Sequence, residues 1–138
     1  MPPPSAEELR AAKAIQAKFG DEIALTNYQL QIDHASSLVH LALYWRGLKK
    51  PGKAYTAFVH LLDASGQVVA QKDAQPRDGN YPTSIWDVGE IVKDEYDLTI
   101  PSDAHSPFTI EIGMYEQPSL KRLPVGNSDR VEFRISDF

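Results

Sequence analysis

Short segments in which apolar and polar side chains alternate are the sequence feature that most restricts the fold. Clusters of Gly, Pro, Asn and Asp separate these segments, as turns between β-strands require. The predicted strands cover residues 23–32, 38–46, 55–62, 67–73, 90–100, 108–115 and 130–135, and a shorter one begins at Ile15. This pattern predicts an all-β fold, an antiparallel β-sandwich of Ig-like or jelly-roll type with about seven or eight strands.

The N-terminal residues differ from the rest of the chain in composition. Residues 1–14 are predicted to form a linker with a short helix, and residues 15–138 a single β-sandwich domain. Ser5 followed by Glu8 matches a capping box, in which the two side chains satisfy backbone N–H groups at a helix start. Good helix formers follow, but few of them are large and apolar, so we expect a short helix.

Composition excludes several classes of partner and site. Lys and Arg number 14 against 19 Asp and Glu, and the resulting net charge of −5 argues against nucleic acid as a partner. The chain has no cysteine, so disulfides and thiolate metal sites are excluded. The longest apolar run, residues 41–45, is far shorter than the roughly 20 residues that span a bilayer, and no apolar segment of a signal peptide follows Met1.

The usual signatures of catalysis are absent from the sequence. It contains no G-x-S-x-G nucleophile elbow, no phosphate-binding P-loop, no H-E-x-x-H pair and no EF-hand loop. We therefore expect no enzyme activity, no catalytic residue and no cofactor. His40 and His60 lie on strands predicted to be neighbours, but zinc needs three or four protein ligands and no third is indicated, so no metal site is predicted.

Asp94 is the one acidic residue that alternation places on an apolar strand face, between Val92 and Tyr96. A carboxylate in that position must accept hydrogen bonds, pair with a cationic side chain or bind a metal ion. Hydrogen bonding to loop backbone is the favoured interpretation, and a calcium site is the alternative.

The long connection at residues 74–89 carries two aromatic candidates for ligand binding, Tyr81 and Trp86. An aromatic ring in such a loop can stack on a sugar ring, or it can close the open end of a sandwich. The buried plug is favoured for Trp86, because Ile85 and Val88 flank it and are expected to be buried with it.

A second set of candidates comes from the outward sides of two strands. Residues 55–62 are apolar on both sides, which predicts a central strand. Its outward side carries Phe58 and His60, and that of strand 38–46 carries His40 and Tyr44. If these strands are hairpin neighbours, the side chains form one patch suited to stacking on sugar rings. The alternative is that the long loop or the N-terminal segment covers this face, because exposed apolar patches are rare.

Several short motifs occur in order between about residues 15 and 125. They are Phe19-Gly20-Asp21, Leu41-Ala42-Leu43-Tyr44-Trp45, Tyr55-Thr56-Ala57-Phe58-Val59-His60-Leu61-Leu62-Asp63, Gln75-Pro76, Pro82-Thr83-Ser84-Ile85-Trp86, Gly89-Glu90, Ile112-Gly113-Met114-Tyr115 and Arg122-Leu123-Pro124-Val125. In this order they resemble an extracytoplasmic β-sandwich domain of uncharacterised bacterial membrane proteins, notably of Chloroflexi type. Asn27 departs from the pattern, in which a glycine usually precedes the tyrosine.

The resemblance implies a context more than an activity. In that family the domain commonly follows multi-pass segments similar to dolichyl-phosphate-mannose-type glycosyltransferases. We therefore expect a non-catalytic, extracytoplasmic accessory domain of a cell-envelope membrane protein, which binds or positions a glycan or lipid-linked sugar or packs against its parent glycosyltransferase. An Ig-like protein-interaction module without sugar affinity is the main alternative, and a small hydrolase is the least favoured one.

Overall fold

Two antiparallel sheets packed face to face make up the protein in the computed structural model, which describes residues 3–135. The elements in chain order are α1 (Ala6–Ala11), β1 (Lys13–Phe19), β2 (Ile23–Asp33), β3 (Leu38–Gly47), β4 (Thr56–Leu62), β5 (Val68–Ala74), a 3₁₀ turn (Thr83–Ile85), β6 (Ile91–Thr99), β7 (Phe108–Tyr115) and β8 (Val131–Ile135). Sheet A has the strand order β1-β2-β3-β6 and sheet B the order β5-β4-β7-β8. The prediction of an all-β sandwich is confirmed.

The predicted strands are found within a few residues of their expected bounds. The short helix precedes β1, which begins at Lys13 rather than at Ile15. Of the predicted linker and domain, residues 1, 2 and 136–138 lie outside the described part of the chain.

The core lies between the two sheets and follows the alternation along each strand. The inward-facing residues of β3 and β4 are fully buried: Val39, Leu41, Leu43 and Trp45 of β3 and Ala57, Val59 and Leu61 of β4. Each large apolar side chain buried in this way contributes roughly 1.5–3 kcal/mol to folding. The inward side of β4 is therefore the one that the sequence predicts, and β4 is central in its sheet.

The connection between β3 and β4 crosses from sheet A to sheet B, so the predicted hairpin between these strands is wrong. Glu22 holds the crossing segment: its backbone carbonyl accepts hydrogen bonds from Leu48 N at 2.8 Å and Lys49 N at 3.4 Å. Its carboxylate accepts from Gly52 N at 2.9 Å and from the Tyr55 hydroxyl at 2.5 Å. Turn-forming residues occur equally in a hairpin and in a loop that crosses between sheets. The composition of residues 47–55 therefore could not distinguish these two connections.

Asp94 is a buried junction between β3, β6 and the long loop. It is 2% exposed, and its carboxylate accepts hydrogen bonds from Trp45 Nε1 at 3.2 Å, the Tyr96 hydroxyl at 2.5 Å and Arg77 N at 2.8 Å. Burial raises the pKa of Asp94, and the hydrogen bonds oppose that rise. The prediction that Asp94 faces the core and bonds to loop backbone is confirmed.

Replacing Asp94 with Ala should lower the free energy of unfolding by about 3 kcal/mol or more, because three donors lose their buried acceptor. Chemical denaturation measures this loss. Asp103→Ala, the same substitution at an exposed position, should change stability by less than about 0.5 kcal/mol. Equal effects of the two substitutions would contradict the role given to Asp94.

Candidate functional site

The structure separates the residues predicted to bind ligand into three places. These residues are His40, Tyr44, Phe58, His60, Tyr81 and Trp86. The first two lie on β3 in sheet A, the next two on β4 in sheet B, and the last two in the loop before β6. The outward sides of the two sheets point away from each other, so the single aromatic and imidazole patch predicted from the sequence is wrong.

Helix α1 covers Tyr44. Ser5 caps the helix by accepting a hydrogen bond from Glu8 N at 3.0 Å. The Tyr44 hydroxyl donates to Glu8 Oε2 at 2.6 Å, and Tyr44 is 0% exposed in a small apolar cluster with Ala12 and Leu9. The alternative in which the N-terminal segment lies across this face is therefore correct for Tyr44, which no ligand can reach.

Charges hold the helix on the sheet. Lys93 Nζ lies 2.7 Å from Glu8 Oε2 and 5.9 Å from the centre of the Tyr44 ring. The pKa of Glu8 is lowered mainly by the contact with Lys93 and to a smaller extent by the hydrogen bond from Tyr44. Burial and the same hydrogen bond raise the pKa of Tyr44 to about 12.

The lowered pKa of Glu8 predicts a pH-dependent attachment of α1. The carboxylate stabilises the folded state above its ordinary pKa of 4.5, and this contribution is lost as the pH falls through the lower folded-state pKa. The methyl resonances of Ala12 and Ala42 should therefore shift below about pH 4.5 in NMR spectra. Glu8→Gln should remove this titration, whereas Glu7→Gln, on an exposed neighbour, should leave it in place. An unchanged titration in Glu8→Gln would refute the role of this carboxylate.

Beyond α1, the outer face of sheet A carries an open polar row. Gln31 of β2, His40 of β3 and Asp97 of β6 are direct cross-strand neighbours. His40 Nδ1 contacts Asp97 Oδ1, which fixes the imidazole ring, and the two side chains are 36% and 60% exposed. We call these three residues the His40 row.

A cleft of about 580 Å³ runs along the His40 row. Its other lining residues are Ile32, Asp33, His34 and Leu38. The next row of the sheet adds Gln29 and Glu95 on either side of Ala42. Amide, imidazole and carboxylate groups thus face solvent together on a rigid sheet, and between them they can donate and accept several hydrogen bonds.

The outer face of sheet B is closed over its aromatic residues. Phe58 is 1% exposed, and the guanidinium carbon of Arg122 lies 4.4 Å from its ring centre. Its ring packs so closely on Gly113 that a Cβ at that position would overlap the ring atoms. The His60 ring centre lies 4.7 Å from that of Phe58, and its Nε2 lies 3.4 Å from Asp73 Oδ1. Within residues 3–135, that buried nitrogen makes no hydrogen bond. Phe58 and His60 are therefore packing residues of a covered face.

Trp86 closes the sandwich from within the long loop. It is 0% exposed, and its Nε1 donates to the Tyr81 carbonyl oxygen at 2.9 Å. The plug interpretation of Trp86 is confirmed, but Ile85 and Val88, at 52% and 63% exposed, are not buried with it as predicted. Tyr81 is partly exposed, and its hydroxyl donates a hydrogen bond to Glu90 Oε2 at 2.5 Å. This hydrogen bond and burial raise the pKa of Tyr81 to about 12.

Replacing Trp86 with Ala should lower the free energy of unfolding by about 3–5 kcal/mol, because a fully buried indole leaves a cavity. The adjacent Ile85→Ala removes an apolar side chain that is 52% exposed and should cost less than about 1 kcal/mol. Urea denaturation of both variants measures the difference. A Trp86→Ala protein as stable as the wild type would contradict the plug.

Sequence reasoning missed Gln31, Asp97 and Glu95 as neighbours of His40. Their alternation places them on outward sides of their strands, and that signal was available. The missing information was the pairing of β3 with β6, strands separated by two strands of the other sheet and by the long loop.

Together these observations define a two-sheet antiparallel sandwich domain with a polar cleft on one outer face. No family model and no curated protein matches the chain. Among solved structures, it is similar to part of a β-glucuronidase from glycoside hydrolase family 2, with 15% sequence identity and a TM-score of 0.51. The match covers 79% of this chain, which spans only 11% of that protein, and such a likeness shows the fold alone.

Two further properties of residues 3–135 bear on the site. Within this range no helix is long and apolar enough to cross a membrane. Nor does this part of the chain bring three or more His, Asp or Glu side chains together in an arrangement that could hold a metal ion.

Proposed function

We propose that this chain is a non-catalytic accessory domain that binds a glycan, free or lipid-linked, along the His40 row. The observation that carries the proposal is the open cleft of about 580 Å³ on the outer face of sheet A, lined by Gln31, His40 and Asp97. The other outer face has its aromatic residues covered, as Phe58 illustrates at 1% exposed.

The chemistry of the row suits sugar hydroxyls, each of which both donates and accepts hydrogen bonds. Asp97 accepts, the Gln31 amide does both, and the partly exposed His40 ring offers its second nitrogen, Nε2. The contact with Asp97 holds the imidazole in one orientation, so little side-chain entropy is lost on binding. Leu38, two residues from His40 on the same side of β3, offers an apolar contact for the C–H face of a sugar ring.

The proposed context is the extracytoplasmic side of a cell-envelope membrane protein. The resemblance of the sequence motifs supports a domain tethered to a glycosyltransferase-like parent protein. The similarity in fold to a part of a glycoside hydrolase makes carbohydrates the first ligands to test. In such a context the domain would hold a glycan near the parent protein, and the parent would perform the chemistry.

A glycan array followed by calorimetric titration tests this proposal. His40→Ala and Asp97→Ala should each weaken binding of the selected glycan by about tenfold, because each removes one or two hydrogen bonds. His105→Ala, the same substitution at an exposed histidine on a loop, should bind as the wild type does. Circular dichroism should show the same β-rich spectrum for all four proteins.

Two results would overturn the proposal. Normal binding by both row variants would exclude the His40 row as the site. The absence of any bound glycan would favour the alternative of a protein-interaction module without sugar affinity.

A further inference from the structure

The two lateral sides of the sandwich differ. On one side β5 and β6 approach each other: Lys72 Nζ lies 5.5 Å from the centre of the Tyr96 ring and 2.6 Å from Asp78 Oδ1. The loop backbone at Arg77 also bonds to Asp94 there. On the other side β8 ends sheet B, and β1 pairs with β2 only as far as Tyr28, which leaves residues 29–33 as an edge of sheet A. We call this second side the open side.

A groove of about 390 Å³ runs along the open side. It is lined by Lys13, Tyr28, Leu30, Ile32, Phe133, Arg134 and Ile135. The Phe133 ring stacks on that of Tyr28, with centroids 4.7 Å apart, and holds the two sheets together at this point. Partly buried apolar side chains therefore line a strand edge that has no neighbour in the described chain.

The residues of β8 are chemically symmetric about Phe133. Val131 and Ile135, each two residues from Phe133, are apolar and face inward. Glu132 and Arg134, each next to Phe133, carry opposite charges and are exposed. An antiparallel strand paired with β8 in the register centred on Phe133 places residue 132 opposite residue 134. If the second strand is another β8, each Glu132 faces an Arg134 and each Val131 faces an Ile135.

We infer that β8 pairs antiparallel with β8 of a second copy of this chain, around a two-fold axis at Phe133. The charge pattern favours a second copy over an unrelated peptide, because the two-fold axis forms two identical pairs of Glu132 with Arg134. This pairing extends sheet B from four strands to eight and covers the exposed edge at β8. Soluble proteins usually protect such edges.

The surroundings of Glu132 within one copy support this pairing. Glu132 lies directly opposite Glu111 on β7, and like charges at such positions repel. Arg130 Nε lies between them, 3.0 Å from Glu111 and 3.9 Å from Glu132, so Glu111 is the better paired of the two. An Arg134 from the second copy would supply the stronger partner that Glu132 lacks.

This inference is independent of the proposed glycan site, since the His40 row lies on the other sheet and shares no residue with β8. Sedimentation equilibrium of the wild-type chain, from micromolar to millimolar concentration, should show a reversible monomer–dimer equilibrium. Glu132→Arg alone and Arg134→Glu alone place like charges opposite each other, and each should weaken the dimer by about tenfold or more.

Two rescue experiments make the test specific for this register. The double variant Glu132→Arg with Arg134→Glu exchanges the charges and should restore wild-type dimerisation. An equimolar mixture of the two single variants should form a heterodimer tighter than either homodimer, because one copy then carries two basic residues and the other two acidic ones.

The wild-type protein also gives a test without any variant. On raising the concentration, NMR amide signals of β8 should shift and exchange more slowly with solvent than those of β5, the opposite edge of sheet B. A monomer at millimolar concentration would overturn the inference. So would a dimer whose shifts centre on another surface, or single variants that the charge exchange fails to rescue.

Discussion

The buried carboxylate of Asp94 joins three separate parts of this structure. Its hydrogen-bond donors come from β3, from β6 and from the backbone of the long loop at Arg77. A buried charge is costly unless its acceptor capacity is used, so the loop must keep its conformation for the fold to be stable. Arg77 and Asp78 adopt left-handed backbone conformations in that loop, at φ 59° and 55°. The same loop carries Trp86, so the junction at Asp94 and the plug of the core are parts of one segment.

What covers each outer face decides which residues a ligand can reach. Helix α1 lies over Tyr44 through the Glu8 contacts, and Arg122 lies over Phe58. These covers explain how β3 and β4 can carry large side chains on both sides without exposing apolar patches. The His40 row lies beyond α1 and keeps its polar groups in solvent. The cleft is therefore open because the short N-terminal helix covers the sheet at Tyr44 and does not extend over the His40 row.

The proposed glycan surface and the proposed dimer edge occupy different parts of the sandwich. The first uses the outer face of sheet A and the second uses the free edge of sheet B, so either could operate without the other. Both use strands, which hold their side chains at fixed spacing. A dimer through β8 would present two copies of the His40 row on one assembly, which increases the effective affinity for a glycan with repeated units.

Local patterns in the amino-acid sequence are enough to predict the fold class, the approximate strand bounds and the side of each strand that enters the core. These depend on alternation and turn residues, which are local properties of the chain. The sequence also placed Asp94 correctly, because a carboxylate in an apolar alternation requires hydrogen-bond donors around it. Three features emerge only from the folded chain: β3 and β4 belong to opposite sheets, β6 lies beside β3, and α1 covers Tyr44. Strand pairing depends on contacts between distant segments, and a crossing loop has the same composition as a hairpin. For that reason the residues of the predicted patch were separated, whereas Gln31, His40 and Asp97 were brought together.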